Sequence, residues 1–328
     1  MLRPNKFKGL KLNILKPFII PSLCLAFAIS ANVVWSQKSE SQAVFTSDTR
    51  LVVLHATVVD KSGHLVTTLP QNAFQVFENG VQQQVKLFKR EDVPVSMGLV
   101  IDNSGSMRDK RQKVAAAALA LVKASNREDE VFVVNFNDDA FLDCDFTNKI
   151  PDMEQALTKI DSRGGTAMRD AIRMSIDHLK EKAKRDKKVI LVVTDGNDNA
   201  SIITLENLVK LAQQAGDNGV IVYAVGLLNE EERREAKRAK RALDALTEAT
   251  GGQAYYPKEL ADVDRIAHQV AHDIRNQYTI AYTPSNVALD GSFRQIRVTA
   301  NGPGRPTVRT RTGYYATPEL AANKSGGS

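Results

Sequence analysis

Five apolar runs, separated by stretches of helical periodicity, constrain the fold of this 328-residue chain more than any other feature. The runs are "VSMGLVI", "EVFVVNF", "KVILVVT", "GVIVYAVG" and the shorter "GQAYYP". Strands so continuously apolar are typical of a parallel sheet that is covered by helices on both faces. The sequence therefore predicts an α/β fold class with a doubly wound, mostly parallel sheet over residues 94–276. Helical periodicity lies at 111–125, 153–160, 168–184, 205–218, 231–250 and 260–276.

One further strand of this domain is expected at "DDAFLDCDF". It follows "EVFVVNF" too closely for a crossover helix, so it should pair antiparallel at an edge of the sheet.

The segments on either side of the α/β region alternate apolar and polar residues, which favours short strands. Residues 50–93 read as three or four short strands with turns at "DKSG" and "ENG". Residues 277–316 contain the runs "QYTIAYTP", "FRQIRVTAN" and "TVRTRTGYYA". Because each segment is small for a core of its own, we expect the two to form one β-sandwich with the α/β domain inserted between them.

The first 36 residues have the three parts of a signal peptide: a cationic start, an apolar run and a small-residue exit. Cleavage is expected after Ser36, with Ala31 as the alternative site. The run from 18 to 35 is just long enough to span a membrane, but Pro21 and Asn32 interrupt it. We therefore expect a secreted or periplasmic protein of the cell envelope, membrane-bound only if the leader stays uncleaved. A flexible arm (37–49) and a disordered tail (317–328) complete the predicted domain plan.

The net charge of +6 is no argument for nucleic-acid binding, because five basic residues and no acidic ones lie in the leader. Without the leader, 39 basic residues face 38 acidic ones. Cys144 is then the only cysteine, so the exported chain has no internal disulfide.

Oxygen-bearing side chains follow three segments of the predicted sheet. "LVIDNSGSM" ends a strand with Asp102, Ser104 and Ser106; "SRGGTAM" places Thr166 before a helix; "VVTDGND" places Asp195 directly after a strand. Ligands of open α/β sheets bind outside the carboxyl ends of the strands, where these loops should meet. Two carboxylates and three hydroxyls suit a hard divalent cation, Mg²⁺ or Mn²⁺, and no His or Cys cluster favours zinc.

This pattern resembles the metal-ion-dependent adhesion site (MIDAS) of the von Willebrand factor A (VWA) family, and the flanks "FQVFENGVQQQVKLF" and "RTRTGYY" resemble bacterial secreted VWA-related proteins. The resemblance implies that Ser104 and Ser106 bind the metal directly. Thr166 would bind directly or through water, while Asp102 and Asp195 hold coordinated waters and orient the hydroxyls. It also implies that the last helix of the domain, 260–276, can shift with the state of the site.

The function implied is cell adhesion or another protein–protein interaction, in which an Asp or Glu of a protein partner completes the coordination of the cation. We expect no enzyme. The alternative is a Mg²⁺-dependent hydrolase or phosphotransferase using the same acidic strand end, although Ser104 stands where an aspartyl-phosphate enzyme needs a second carboxylate and no phosphate-binding or nucleophile motif follows a strand. A structural module with a vestigial site is a third possibility. The oligomeric state stays open.

Several of these residues also have ordinary structural interpretations. Asp102 and Ser104 could form a turn or a cap, and Thr166 could cap its helix. Asp170 is expected to complement a helix dipole, and Asn197 and Asp198 to serve as turn or cap residues. The three histidines in helical stretches are expected to be packed or solvated rather than metal ligands: His178, His268 and His272.

Overall fold

The computed structural model of the protein describes residues 50–90, 92–158, 162–214, 219–228 and 233–318. The predicted signal peptide, the arm and nearly all of the tail lie outside these residues. No helix of the described part is both long enough and apolar enough to cross a membrane.

The described residues form fourteen strands and six α-helices. The strands are β1 (Val52–Val59), β2 (Phe74–Glu78), β3 (Val81–Gln83), β4 (Val85–Lys89), β5 (Val95–Asp102), β6 (Glu130–Phe136), β7 (Ala140–Thr147), β8 (Lys187–Thr194), β9 (Ile221–Gly226), β10 (Ala254–Tyr255), β11 (Tyr278–Tyr282), β12 (Phe293–Ala300), β13 (Thr307–Arg309) and β14 (Gly313–Tyr315). The helices are α1 (Arg111–Ala124), α2 (Ile150–Thr158), α3 (Met168–Lys182), α4 (Leu205–Gln213), α5 (Arg233–Thr250) and α6 (Asp262–Arg275).

The central sheet has the strand order β10-β9-β8-β5-β6-β7. Its strands pair in parallel except β7, which pairs antiparallel with β6 at the edge. The predicted edge strand is therefore confirmed. The order places β5 beside β8, so two of the three predicted site loops leave neighbouring strands at the same end of the sheet.

Both faces of the central sheet are covered, which explains the continuous apolar runs. All eight residues of β5 are buried. Met97, Leu99 and Ile101 pack into a core with α1, α2 and α6, whereas Val100 packs into a second core with α3, α4 and α5. The predicted doubly wound α/β fold class is confirmed, and predicted helix ends that fall on described residues agree with the structure to within three residues.

Strands from the two flanking segments interleave in two four-stranded sheets, β13-β1-β11-β4 and β14-β12-β2-β3. The pairs β1–β11 and β2–β12 each join the two segments. The sheets share one apolar core, and the buried Glu78 carboxyl connects them by accepting hydrogen bonds from Tyr282 (2.6 Å) and Tyr314 (3.0 Å). The exact domain boundaries stay a prediction.

The run "TVRTRTGYYA" does not form one strand. Thr307–Arg309 pairs with β1, whereas Gly313–Tyr315 pairs with β12 in the other sheet. Between them, the Thr312 N–H donates to Ala249 O and the Thr312 carbonyl accepts from Ile296 N–H. These contacts hold the segment where the backbone passes from one sheet to the other. The alternation of side chains in the sequence does not indicate this change of sheet.

A buried lysine connects the central sheet to the end of α6. Lys187, at the start of β8, is 3% exposed and donates from Nζ to Ile274 O. Burial lowers the pKa of Lys187 to about 7, while Asp92 and Asp129 act in the opposite direction. The same charge contributes to lowering the pKa of buried His55, for which burial is the largest cause.

The low pKa of Lys187 predicts a pH-dependent stability difference. Above pH 7 the unfolded chain still binds a proton on Lys187 that the folded chain has lost, up to the ordinary pKa of 10.5, so stability rises with pH in this window. Urea denaturation gives the unfolding free energy of the natural chain and of Lys187→Met. We expect the natural chain's value minus that of Lys187→Met to rise by roughly 1 kcal/mol per pH unit between pH 8 and 10. The exposed Lys180→Met variant is the control; equal pH slopes in the natural chain and Lys187→Met would contradict the assignment.

Candidate metal centre

Asp102, the last residue of β5, is fully buried, and it is held by the loop that follows β5 and by the end of β8. Its Oδ1 accepts a hydrogen bond from the Ser104 N–H (2.8 Å), and its Oδ2 accepts one from the Thr194 hydroxyl at the end of β8 (2.6 Å). Burial raises the pKa of the Asp102 carboxyl, and the negative charge of Asp195 adds to this effect. The carboxylate thus fixes the start of the first loop against the adjacent strand.

Ser106 lies in a short 3-10 turn, Gly105–Met107, and Ser104 is the N-cap residue of this turn. Their hydroxyl oxygens are 3.2 Å apart. Ser106 Oγ also donates to Asp195 Oδ1 at 2.8 Å, which joins the loop after β5 to the loop after β8. Ser104 is buried, whereas Gly105 and Ser106 are exposed, so the pair has one side open to solvent.

Thr166 approaches the same place from the loop before α3. A methyl group built at Gly196 would lie 3.7 Å from the Thr166 hydroxyl, so this side chain lies against the loop of Asp195. The Thr166 N–H donates to Asn199 Oδ1 at 2.8 Å. The Gly105 N–H donates to Gly164 O at 3.4 Å, which ties the loop to the serine turn. The structure thus brings the five predicted residues together at one end of the sheet; metal ligation by them stays a prediction.

Asp138 explains the two glycines that precede Thr166. The Gly165 N–H donates to Asp138 Oδ1 at 2.7 Å, and a Cβ built at Gly164 would lie 2.1 Å from Asp138 Oδ2. Gly164 also has a φ of +73°, which favours glycine. The two glycines therefore let the β6–β7 turn approach closely, and no pattern in the sequence indicates that Asp138 makes this contact.

The helix that follows Thr166 is capped by a residue from another loop. Thr166 does not cap α3: its N-cap position is Ala167, which makes no side-chain cap. Instead Asp198 Oδ2 accepts from the Arg169 N–H at 2.7 Å. Asp170, in the first turn of α3, accepts from the backbone N–H groups of residues 202 and 203, so it also anchors the loop after β8.

Lys110 is a member of the centre that the sequence did not indicate. Its Nζ forms an ion pair with Asp195 Oδ2, and its side chain is 31% exposed, whereas that of Asp195 is 1% exposed. The only sequence signal is a lysine directly before α1, and a lysine at that position does not by itself indicate a buried partner. The centre therefore combines two carboxylates, three hydroxyls and one ammonium group.

Arg111 supports the first loop from inside the domain. It is fully buried, and it donates from Nε to Asn103 Oδ1 (3.3 Å) and from Nη2 to Asn135 Oδ1 (2.9 Å). Burial lowers its pKa to about 10, against the effect of Asp102 and Asp143. Asn103 lies between Asp102 and Ser104, so this contact helps to hold the conformation of the turn.

The donor set fits a hard divalent cation. Hydroxyl and carboxylate oxygens are the ligands that Mg²⁺ and Mn²⁺ prefer. Within the described ranges, no group of three or more His, Cys, Asp or Glu side chains is arranged to hold a metal ion. A cation at this centre would therefore depend on the serine and threonine hydroxyls in addition to the two carboxylates.

The three helical histidines lie in other environments. His178 Nε2 is 2.8 Å from Asp145 Oδ1, and its ring stacks on Phe146. His268 and His272 are exposed on α6.

Comparison with a family model identifies the segment that contains this centre. Residues 97–197 match the von Willebrand factor type A domain. The matched segment runs from β5 to the loop after β8 and includes all five candidate ligands. The match supports the resemblance at the level of the VWA domain; the metal site itself remains a proposal.

Solved structures with a similar backbone include the following three. A von Willebrand factor type A protein from Catenulispora acidiphila has 12% identity and a TM-score of 0.47, covering 86% of this chain and 78% of that one. A minor pilin from Streptococcus sanguinis has 16% identity and a TM-score of 0.45, covering 56% and 62%. The von Willebrand factor domain of a type V pilus tip protein from Porphyromonas gingivalis has 14% identity and a TM-score of 0.45, covering 56% and 97%.

These likenesses extend over part of each protein. The chain spans 62% of the pilin and 51% of a mussel byssus thread matrix protein that also matches. Among curated proteins no match was found.

The support that Arg111 gives to the turn is testable by substitution. In Arg111→Met the buried oxygen of Asn135 loses the donor that Arg111 supplies, and Asn103 loses one of its two, so we expect a loss of about 1–3 kcal/mol in the unfolding free energy. Urea denaturation measures it, with the exposed Lys113→Met on the same helix as control. Unchanged or increased stability of Arg111→Met would show that the contact does not hold the turn.

Proposed function

We propose that this protein is an exported binding protein whose VWA domain takes up Mg²⁺ or Mn²⁺ at Asp102, Ser104, Ser106, Thr166 and Asp195. The bound cation engages an acidic side chain of a partner protein. The observation that carries the proposal is the 2.8 Å hydrogen bond from Ser106 Oγ to Asp195 Oδ1, because it joins donors from two separate loops at one place.

The proposed roles follow from burial and hydrogen bonding. Asp102 is fully buried with both oxygens accepting hydrogen bonds, which suits an orienting role rather than exchange with solvent. The hydroxyls of Ser104 and Ser106 lie 3.2 Å apart, so one cation could contact both. Hydroxyl ligands carry no charge, and a cation held through them keeps much of its attraction for an outside carboxylate.

The exposed rim of the centre is where a partner would make contact. Gly105, Ser106, Arg163 and Gly164 are exposed around the buried donors. Ile202, in the loop anchored to Asp170, is 93% exposed. A partner that presents an Asp or Glu at Ser106 would therefore meet exposed backbone, the Arg163 side chain and one exposed apolar side chain, Ile202.

Export is proposed from the leader over residues 1–36, and it places the centre in a compartment outside the cytoplasm. We propose binding rather than catalysis, since no observation at the centre favours the hydrolase or phosphotransferase alternative. A phosphatase assay on the purified protein, with Mg²⁺ and with EDTA, decides between the two.

Metal uptake is the first expected result. Calorimetry should detect binding of Mg²⁺ or Mn²⁺ to the natural protein, and Ser104→Ala should weaken it by at least about tenfold, since one hydroxyl ligand is lost. The Ser104 hydroxyl contacts the Ser106 hydroxyl and the Asp102 carboxylate. Because the Ser104 N–H and the Thr194 hydroxyl also hold that carboxylate, the fold should remain stable without the Ser104 hydroxyl. Ser125→Ala, at the far end of α1, is the control.

The same three proteins, immobilised, then test the partner. An envelope protein should be retained in Mg²⁺ by the natural protein and by Ser125→Ala, and released by EDTA. Equal retention by Ser104→Ala, or retention that persists in EDTA, would contradict metal-mediated binding.

A further inference from the structure

The ammonium group of Lys110 occupies one side of the candidate metal centre. Lys110 immediately precedes α1, and its Nζ forms an ion pair with Asp195 Oδ2. The other oxygen of the same carboxylate accepts from Ser106 Oγ at 2.8 Å. Because the Asp195 side chain is 1% exposed, these two groups rather than bulk water satisfy it. A cation that approaches the serines and Asp195 therefore meets a positive charge that is already paired there.

A neighbouring cleft offers the Lys110 side chain an alternative position. Its side chain is 31% exposed and lines a cleft of about 300 Å³. The other residues of the cleft are Leu227, Leu228, Pro257, Lys258, Glu259 and Leu260. Leucine and proline side chains there can cover the aliphatic stem of the lysine, and Glu259 offers a second, exposed carboxylate to its ammonium group.

Electrostatic repulsion makes the Lys110–Asp195 ion pair incompatible with a divalent cation bound at Asp195. An ammonium and a divalent cation that share one carboxylate repel each other strongly at a distance of a few ångströms, above all where the carboxylate is buried. The ion pair between Lys110 and Asp195 must therefore weaken or break when a divalent cation binds to Asp195. Without the cation, the same ion pair compensates a carboxylate that would otherwise be buried and unpaired.

We propose that Lys110 is a built-in competitor of the metal: it pairs with Asp195 in the metal-free protein and turns into the cleft towards Glu259 when the cation binds. This inference rests on the proposed metal-binding function. As a consequence, the divalent cation binds reversibly and Lys110 lowers its affinity for the centre. The centre stays folded without the cation because Lys110 then pairs with Asp195.

Lys110→Met tests the proposal, because methionine keeps the length and apolar stem of the side chain and removes the charge. Lys258→Met is the matched control, since it removes a positive charge from the same cleft but not from Asp195. By calorimetry at low ionic strength, we expect Lys110→Met to bind Mg²⁺ at least tenfold more tightly than the natural protein. Lys258→Met should change the affinity by less than threefold.

Thermal unfolding gives a second readout. In EDTA, Lys110→Met should unfold at a lower temperature than the natural protein because Asp195 has lost its counter-charge. Saturating Mg²⁺ should then raise its unfolding temperature by more than it raises that of the natural protein. If Lys110→Met does not fold in EDTA, Lys110→Gln is used, with the same expectations.

The possible failures are distinguishable. Equal or weaker Mg²⁺ binding by Lys110→Met, with measurable binding by the natural protein, overturns the role of Lys110 and leaves the proposed function intact. No uptake of Mg²⁺ or Mn²⁺ by either protein overturns both. A Lys258→Met variant that tightens binding as much as Lys110→Met would show a general charge effect and would also overturn the specific competition.

Discussion

The parallel pairing of β5 with β8 is the constraint on which the rest of the centre depends. It places Asp102 beside Thr194 and brings the loop of Ser106 within hydrogen-bond distance of Asp195. Each of these contacts spans about ninety residues of sequence, so they exist only because the intervening strands and helices fold around the same sheet. A register shift of one residue between the two strands would turn these side chains to opposite faces and separate the carboxylates from the hydroxyls.

The charges at this end of the sheet are arranged in layers. Arg111 lies buried behind the turn, Asp102 is enclosed between the two strands, and Asp195 connects Ser106 to Lys110 near the surface. Backbone contacts from the Thr166 loop and side-chain contacts from Asp138 and Asp198 hold the remaining edge. Most of these groups serve to fix the few oxygens that a cation would contact. Such supporting contacts determine how well a site fits its ion.

Local patterns in the sequence predict much of the fold. Continuous apolar runs predicted the buried strands, helical periodicity predicted the six α-helices of the described residues, and the closeness of two runs predicted the antiparallel edge strand β7. The placement of the site residues followed from a rule about strand ends. What could not be predicted depends on partners distant in the sequence: the ion pair of Lys110, the burial of Arg111, the approach of Asp138 to the glycines, and the change of sheet between β13 and β14. A lysine or arginine at the start of a helix looks the same in sequence whether it faces solvent or a carboxylate.

The central claim is that donors from three loops surround one divalent cation. The most direct measurement is crystallographic: anomalous diffraction from crystals of the protein grown with Mn²⁺ locates the ion without prior assumptions about its ligands. We expect one strong anomalous peak within coordination distance of Ser104 Oγ and Ser106 Oγ, with Thr166 and Asp195 bound directly or through one water. A well-ordered site at this edge with no manganese peak, or a peak bound only by residues elsewhere, would contradict it.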